Sequence, residues 1–163
     1  MSETARHLPT YRGCIVCGEP GTNPNTMNLR FRVTETGVEV PFKAEPRQEG
    51  YRGIVHGGVL CASLDETIGW SVAVDRKCYF VTGELTVRFL RPLQIGQPVL
   101  VRGRPKEHKS RYSDAEGEIV DADGNIYARA TGRFFAMPDS EAENVRRYLS
   151  FEDGDLDVLE AGP

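Results

Sequence analysis

No stretch of this chain approaches the run of roughly 18 apolar residues that a membrane-spanning helix needs, so no membrane partner is expected. Basic residues do not prevail either. The 20 Lys and Arg stand against 24 Asp and Glu, a net charge of −4, and a surface built to grip phosphate backbones carries the opposite sign. No nucleic-acid partner is expected. The opening Met1-Ser-Glu-Thr-Ala-Arg-His7 has neither the apolar centre of a secretion signal nor the Arg/Ser bias of a transit peptide, which makes the cytoplasm the expected location. Cysteine is scarce: Cys14, Cys17, Cys61 and Cys78, read as free thiols where no secretory signal precedes them. Cys14-Ile-Val-Cys17 has metal-ligand spacing and His7 offers one more donor, but no second pair follows. The two cysteines are read as small apolar residues of an N-terminal turn, and neither a metal nor a cofactor is expected. There is no internal repeat.

What is present suits one soluble domain. With 163 residues, 39% of them hydrophobic, the chain can fill a single core and has little left for a second. Residues 1–27, rich in Gly, Pro, Asn and Thr, read as an irregular arm. The main domain is expected over 28–137. Leu29 to Val33 alternates apolar and polar, Thr36-Gly37 turns the chain, and Val38 to Phe42 alternates again, which predicts a hairpin. Leu60, Leu64, Ile68 and Val72 recur every fourth residue beside Ser63, Thr67 and Ser71, predicting the one long helix from about 58 to 74. From Val81 onward the period is two: Val81, Gly83, Leu85, Val87 and Phe89 alternate with Thr82, Glu84, Thr86 and Arg88. Further strands follow from Val99, from Ala115 to Val120, and from Ile126 to Phe135, the last two joined by the turn Asp123-Gly124. Residues 138–163 are read as a short helix, 141–148, and an acidic disordered tail.

The expected fold is therefore α+β: one long helix wrapped by an antiparallel sheet of five to six strands. One helix cannot cover both faces of such a sheet, and consecutive Phe134-Phe135 must point to opposite faces. A second copy of the chain is expected to cover the remainder, in a homodimer or homotetramer.

The chemistry concentrates between Gly53 and Gly69. His56-Gly57-Gly58 opens the helix, where first-turn N–H groups lack intrahelical partners and point outward with the positive end of the dipole, ready for a carbonyl oxygen or developing oxyanion. Asp65 lies two turns on, with Cys61, Ala62, Ile68 and Gly69 as face neighbours; three of these are small, so a ligand can reach the carboxylate. Glu66 points about 100° away. An acid on an otherwise apolar, wrapped helix must be paired, neutralised or used. Taken singly, each feature has a plain structural explanation, since an early acid favours the helix dipole by about 0.3–1 kcal/mol and a loop histidine commonly ties a turn.

Together, His-Gly-Gly at a helix start and an acid nine residues after the His resemble the hotdog-fold acyl-CoA thioesterases of the phenylacetic-acid-degradation type. Leu85-Thr-Val-Arg-Phe-Leu-Arg-Pro92 with Gly96, Ala115-Glu-Gly-Glu-Ile119, Asp123-Gly124 and Ala128-Arg-Ala-Thr-Gly132 are similar to the strands after the helix in that family. Cys17-Gly18, Asn23-Pro24 and Leu29-Arg-Phe31 are similar to the opening of one subgroup. The resemblance implies hydrolysis of an acyl-CoA thioester, with Asp65 as general base or nucleophile, Gly57 N–H as donor to the carbonyl, and His56 orienting that turn. Thr82 would enter from the neighbouring subunit to help hold water. Gly58, Glu66 and Arg91 would contact substrate, and Gln48 or Glu49 would replace an Asn or Gln that many relatives carry where this chain has Gly50. Arg88, Arg91, Arg102, Arg104, Lys106, Lys109 and Arg111 form the densest basic stretch, available to coenzyme A phosphates. Two other readings of the same residues are a hydratase or dehydratase of acyl thioesters, with His56 and Asp65 moving protons, and a module that binds acyl-CoA without turnover.

Overall fold

The four-residue recurrence of Leu60, Leu64, Ile68 and Val72 becomes one helix, α1 (Gly57–Arg76), in the computed structural model, which describes residues 6–160. All four side chains are buried, and so are Ser63, Thr67 and Ser71 beside them. Each of these hydroxyls donates to a carbonyl one turn back: Ser63 to Leu60 at 2.9 Å, Thr67 to Ser63 at 2.6 Å, Ser71 to Ile68 at 2.7 Å. That is how a helix can be enclosed on two sides without stranding polar groups. The helix ends at Lys77, which takes a left-handed conformation (φ 55°).

The period-two segments form one antiparallel sheet of β2 (Arg32–Val33), β3 (Val38–Lys43), β4 (Phe80–Phe89), β5 (Pro98–His108), β6 (Ser113–Val120) and β7 (Ile126–Ala136). Their spatial order is β2-β3-β5-β6-β7-β4. Val99 and Val101 of β5, Ala115 and Ile119 of β6, and Ala128, Ala130 and Phe134 of β7 are buried. The alternate positions face outward as a ladder of ion pairs, Arg102 with Glu118 and Arg104 with Glu116. Within one chain only one face is covered, so Phe134 is buried while Phe135 is exposed beside the Tyr112 ring.

Ile68 fixes the contact between helix and sheet. Gly103 and Gly117 oppose each other across β5 and β6, and Gly132 lies on β7. A Cβ on Gly117 would stand 2.5 Å from Ile68 Cγ2, one on Gly103 2.9 Å from Ile68 Cα, and one on Gly132 2.9 Å from Ile68 Cδ1. Three strands thus surrender their side chains at one spot, and α1 sinks into the notch.

Two expectations need correction. The strand expected over 29–33 shrinks to Arg32–Val33, because Leu29 and Phe31 bond instead to the arm: Leu29 N–H to the Val16 carbonyl at 2.9 Å, and Leu8 N–H to the Phe31 carbonyl at 3.0 Å. The acidic tail, expected to be disordered, is packed. After α2 (Asp139–Arg147), β8 (Leu149–Ser150) pairs with β1 (Thr10–Tyr11) of the arm. Leu156 and Val158 are buried, and Asp155 and Asp157 pair with Arg30 and Arg146. Two apolar anchors and two distant arginines hold a segment whose local composition is that of a disordered chain. The first five residues of the expected arm and the last three of the tail lie outside the described residues.

Gly117→Ala should lower the unfolding free energy by about 1–3 kcal/mol, the usual effect of overpacking a filled core. Urea denaturation measures this, and an unchanged midpoint would contradict the notch.

Candidate active site

Asp65 projects from the middle of α1 toward β4, where Thr82 Oγ1 donates to Asp65 Oδ1 at 2.9 Å. The two residues meet within one chain. The register explains it: β4 follows α1 after a short turn and runs back along it, so a residue early in the strand meets the helix on its own chain. Burial pushes the Asp65 carboxyl above the usual carboxylate range, and the Thr82 hydrogen bond opposes this only in part. The result is a carboxylate more basic than one in water.

The pair lines a cavity of about 260 Å³. Its floor comes from α1 and β7, with Gly69, Trp70 and Phe134; its roof comes from the two terminal segments, with Tyr11, Val145 and Leu149. The roof residues were not singled out as site residues in the sequence. The available signal was weak: apolar side chains scattered through segments otherwise read as irregular. Behind Asp65, Glu66 meets Cys14, whose Sγ lies 3.1 Å from Glu66 Oε2. Burial holds the Glu66 carboxyl up at about 8, while a hydrogen bond from Cys17 draws the Cys14 thiol down to about 5.

The His56-Gly57-Gly58 turn lies elsewhere on the helix. His56 is the N-cap of α1, its Nδ1 accepting the Gly58 N–H at 2.9 Å. Gly58 N–H is therefore engaged, whereas Gly57 N–H has no acceptor among the described residues. Because Nδ1 accepts, the ring proton of neutral His56 sits on Nε2. Gly50 is covered by this histidine: a Cβ there would stand 3.0 Å from His56 Cα and 3.3 Å from its ring. A longer side chain at that position has no room. Gln48 is buried close by, its side-chain oxygen accepting from Glu45 N–H at 2.8 Å and its carbonyl accepting from His56 N–H at 2.9 Å. Glu49 binds the Gly53 N–H. Gly57 and Asp65 are eight residues apart on one straight helix, about 12 Å. One carbonyl cannot reach both within a single chain.

Of the basic stretch, Arg102, Arg104, Lys106 and Lys109 are tied to Glu118, Glu116 and Glu107. Arg88, Arg91 and Arg111 have no ion pair among the described residues; Arg91 reaches only the Ile126 carbonyl at 3.5 Å. A second constellation imitates a hydrolytic triad. His108 Nδ1 lies 2.8 Å from Ser113 Oγ, and its Nε2 lies 2.6 Å from Asp75 Oδ2. Ser113 is only 3% exposed, so no substrate reaches it; the chain of bonds ties the end of α1 to the β5–β6 hairpin.

The family model of the thioesterase superfamily matches residues 52–128. A candidate esterase of Saccharolobus solfataricus is 34% identical over 101 residues, which span 61% of this chain and 70% of that protein. Among solved structures, a thioesterase superfamily protein shares 25% identity with a TM-score of 0.69 over 77% of this chain, which spans only 61% of that neighbour's length. A Streptococcus mutans protein crystallised with acetyl-CoA gives 0.62 at 22% identity, covering 68% of this chain and 89% of its own. Zebrafish thioesterase superfamily member 2 gives 0.65 at 15% identity, covering 74% and 90%.

His56→Ala should strand the Gly58 N–H and lower stability by about 0.5–2 kcal/mol, the range for losing an N-cap. Urea unfolding of the variant checks it, and full retention of stability would show that the cap contributes nothing.

Proposed function

The chain belongs to the thioesterase superfamily, with its hotdog arrangement of helix and sheet, and from that premise we propose that it hydrolyses acyl-CoA thioesters in the manner of the phenylacetic-acid-degradation type. The observation that carries this reading is the Asp65–Thr82 pair at the wall of an apolar cavity, a carboxylate on a helix with a hydroxyl donor beside it. Asp65, made more basic by burial, takes a proton from a water held with the help of Thr82. The water oxygen attacks the thioester carbon. The negative charge that develops on the carbonyl oxygen is met by the Gly57 N–H at a helix N-terminus. Collapse of the tetrahedral adduct breaks the carbon–sulfur bond. Coenzyme A leaves as a thiolate, which needs little acid assistance because a thiol has a pKa near 8.5.

The separation of about 12 Å along α1 supports a site shared between chains. Gly57 of one chain must work with Asp65 and Thr82 of another, so the active unit is at least a dimer, formed in the cytoplasm. The surface for it is the free edge of β4, the end strand of the sheet, where Val81 and Phe89 are about half exposed. A long apolar edge is unstable toward further pairing unless a partner covers it. Arg91, just past the end of that strand and without an ion pair among the described residues, would meet a phosphate of coenzyme A. The hydratase reading loses ground at His56: with Nδ1 engaged by Gly58 and the proton on Nε2, the ring offers no bare nitrogen to act as base.

Asp65→Asn should cut thiol release from a panel of aryl, medium- and long-chain acyl-CoAs by about 10²–10⁴-fold while leaving helix content unchanged. Near-normal hydrolysis by the variant, or tight acyl-CoA binding by wild type with no thiol released, would overturn the assignment.

A further inference from the structure

Three side chains that hydrolysis leaves unused converge on the wall of the same cavity. Cys14 and Cys17 come from the N-terminal arm and Glu66 from α1, and their two sulfurs and a carboxylate oxygen all lie within 4.8 Å of one another. We propose that Cys14, Cys17 and Glu66 bind a Zn²⁺ ion, which clasps the arm onto α1 and turns its fourth coordination position toward the cavity beside Asp65.

The donor chemistry selects the ion. Two thiolates and one carboxylate suit Zn²⁺, which is content with four mixed ligands, and they are too soft a set for Mg²⁺ or Ca²⁺. Zinc binds sulfur at about 2.3 Å and oxygen at about 2.0–2.2 Å, so the donors of one tetrahedral ion stand on the order of 3.5–3.8 Å apart. The present cluster needs only a small side-chain adjustment to reach that spacing, with Cys14 Sγ and Glu66 Oε2 moving apart from 3.1 Å. The hydrogen bond between them is the arrangement expected where a proton stands in the place of a cation.

The surroundings are built for sulfur as a ligand. Each sulfur accepts a backbone amide, Cys14 Sγ from Val16 N–H at 3.2 Å and Cys17 Sγ from Tyr11 N–H at 3.4 Å. Such bonds orient the lone pairs and stabilise negative charge on the sulfur. The loop between the cysteines is closed by Gly18, whose N–H donates to the Cys14 carbonyl at 3.0 Å. A Cβ on Gly18 would stand 2.1 Å from that oxygen, so only glycine permits the turn that brings the sulfurs together. Met27 and Leu29 pin the far side, donating to the carbonyls of Ile15 and Val16 at 2.7 and 2.9 Å. The third ligand comes from a rigid helix. His7, the sequence's offer of a further donor, forms a bridge with Arg32 and stands outside the cluster. The three protein ligands all line the cavity, which leaves the fourth position to a water or to an oxygen of the acyl group.

The test uses the full reduced chain and reads metal binding rather than turnover, so its outcome is independent of the thioesterase assignment. Zn²⁺ is titrated in competition with a chromophoric chelator, and Co²⁺ is then bound as a spectroscopic probe. The expected result is one ion per chain, with thiolate-to-cobalt charge-transfer absorption in the near ultraviolet and visible bands of tetrahedral intensity. Cys14→Ser or Cys17→Ser should remove about half of the charge-transfer intensity, since one of two thiolates is lost. Glu66→Gln, which keeps the shape of the side chain, should weaken binding by at least about tenfold, and Cys78→Ser should change nothing. Circular dichroism checks that each variant is folded. Absence of stoichiometric binding at micromolar free metal would overturn the proposal. So would a cobalt spectrum unmoved by the two cysteine variants, or full affinity in Glu66→Gln.

Discussion

The seating of Ile68 in the notch of Gly103, Gly117 and Gly132 is the contact on which the rest of the molecule depends. It sets both the depth of α1 in the sheet and its rotation about its own axis. Asp65 lies one turn earlier on nearly the same face, and Gly69 follows immediately. Once Ile68 is locked, Asp65 can point only toward the start of β4, where Thr82 meets it, and Glu66 only toward the arm, where Cys14 meets it. A helix free to rotate by one residue would exchange the two carboxylates. The packing of an apolar isoleucine against absent side chains thus decides which acid meets Thr82 and which meets Cys14.

The second organising feature is the meeting of the chain's two ends. The arm and the tail lie outside the segment matched by the family model, yet together they roof the cavity beside Asp65. They hold each other through the β1–β8 pairing, through Leu156 N–H donating to the His7 carbonyl at 2.8 Å, and through the Arg30–Asp155 and Arg146–Asp157 pairs. The shared core supplies the acid, its threonine partner and the capped turn. The terminal segments supply part of the cavity wall, with Tyr11, Val145 and Leu149.

Much of this was legible in the residues. The helix expected from about 58 to 74 runs from Gly57 to Arg76, and the strands after it begin and end within a few residues of their alternating patterns, apart from β5, which continues through the basic stretch to His108. These segments are enclosed on one face, and enclosure on one face writes its period into the sequence. Legibility failed where burial comes from a few isolated anchors. The tail has only Leu156 and Val158 to mark it, and the arm has no period at all, because its buried residues are scattered, Leu8 ahead of β1 and Val16 and Cys17 in a turn. The site was legible as residue types and spacing, but not as geometry. That Thr82 belongs to the same chain as its aspartate follows from the β4 register, and that Glu66 faces two cysteines 49 and 52 positions away follows from the fold of the arm. Neither relation leaves a trace in local sequence.

The central claim is that one chain's Gly57 works with another chain's Asp65 and Thr82. It is tested most directly by complementation. Asp65→Asn chains carrying one tag are co-expressed with Gly57→Pro chains carrying another, and the doubly tagged heterodimer is isolated. Proline at the first helical position removes the N–H and leaves the helix intact, since its ring is accommodated there. Each parent homodimer should be inactive in thiol release, while the heterodimer should recover about half of the wild-type rate, because one of its two shared sites retains every group. A heterodimer as inactive as its parents would contradict the account and place both groups within a single chain's site.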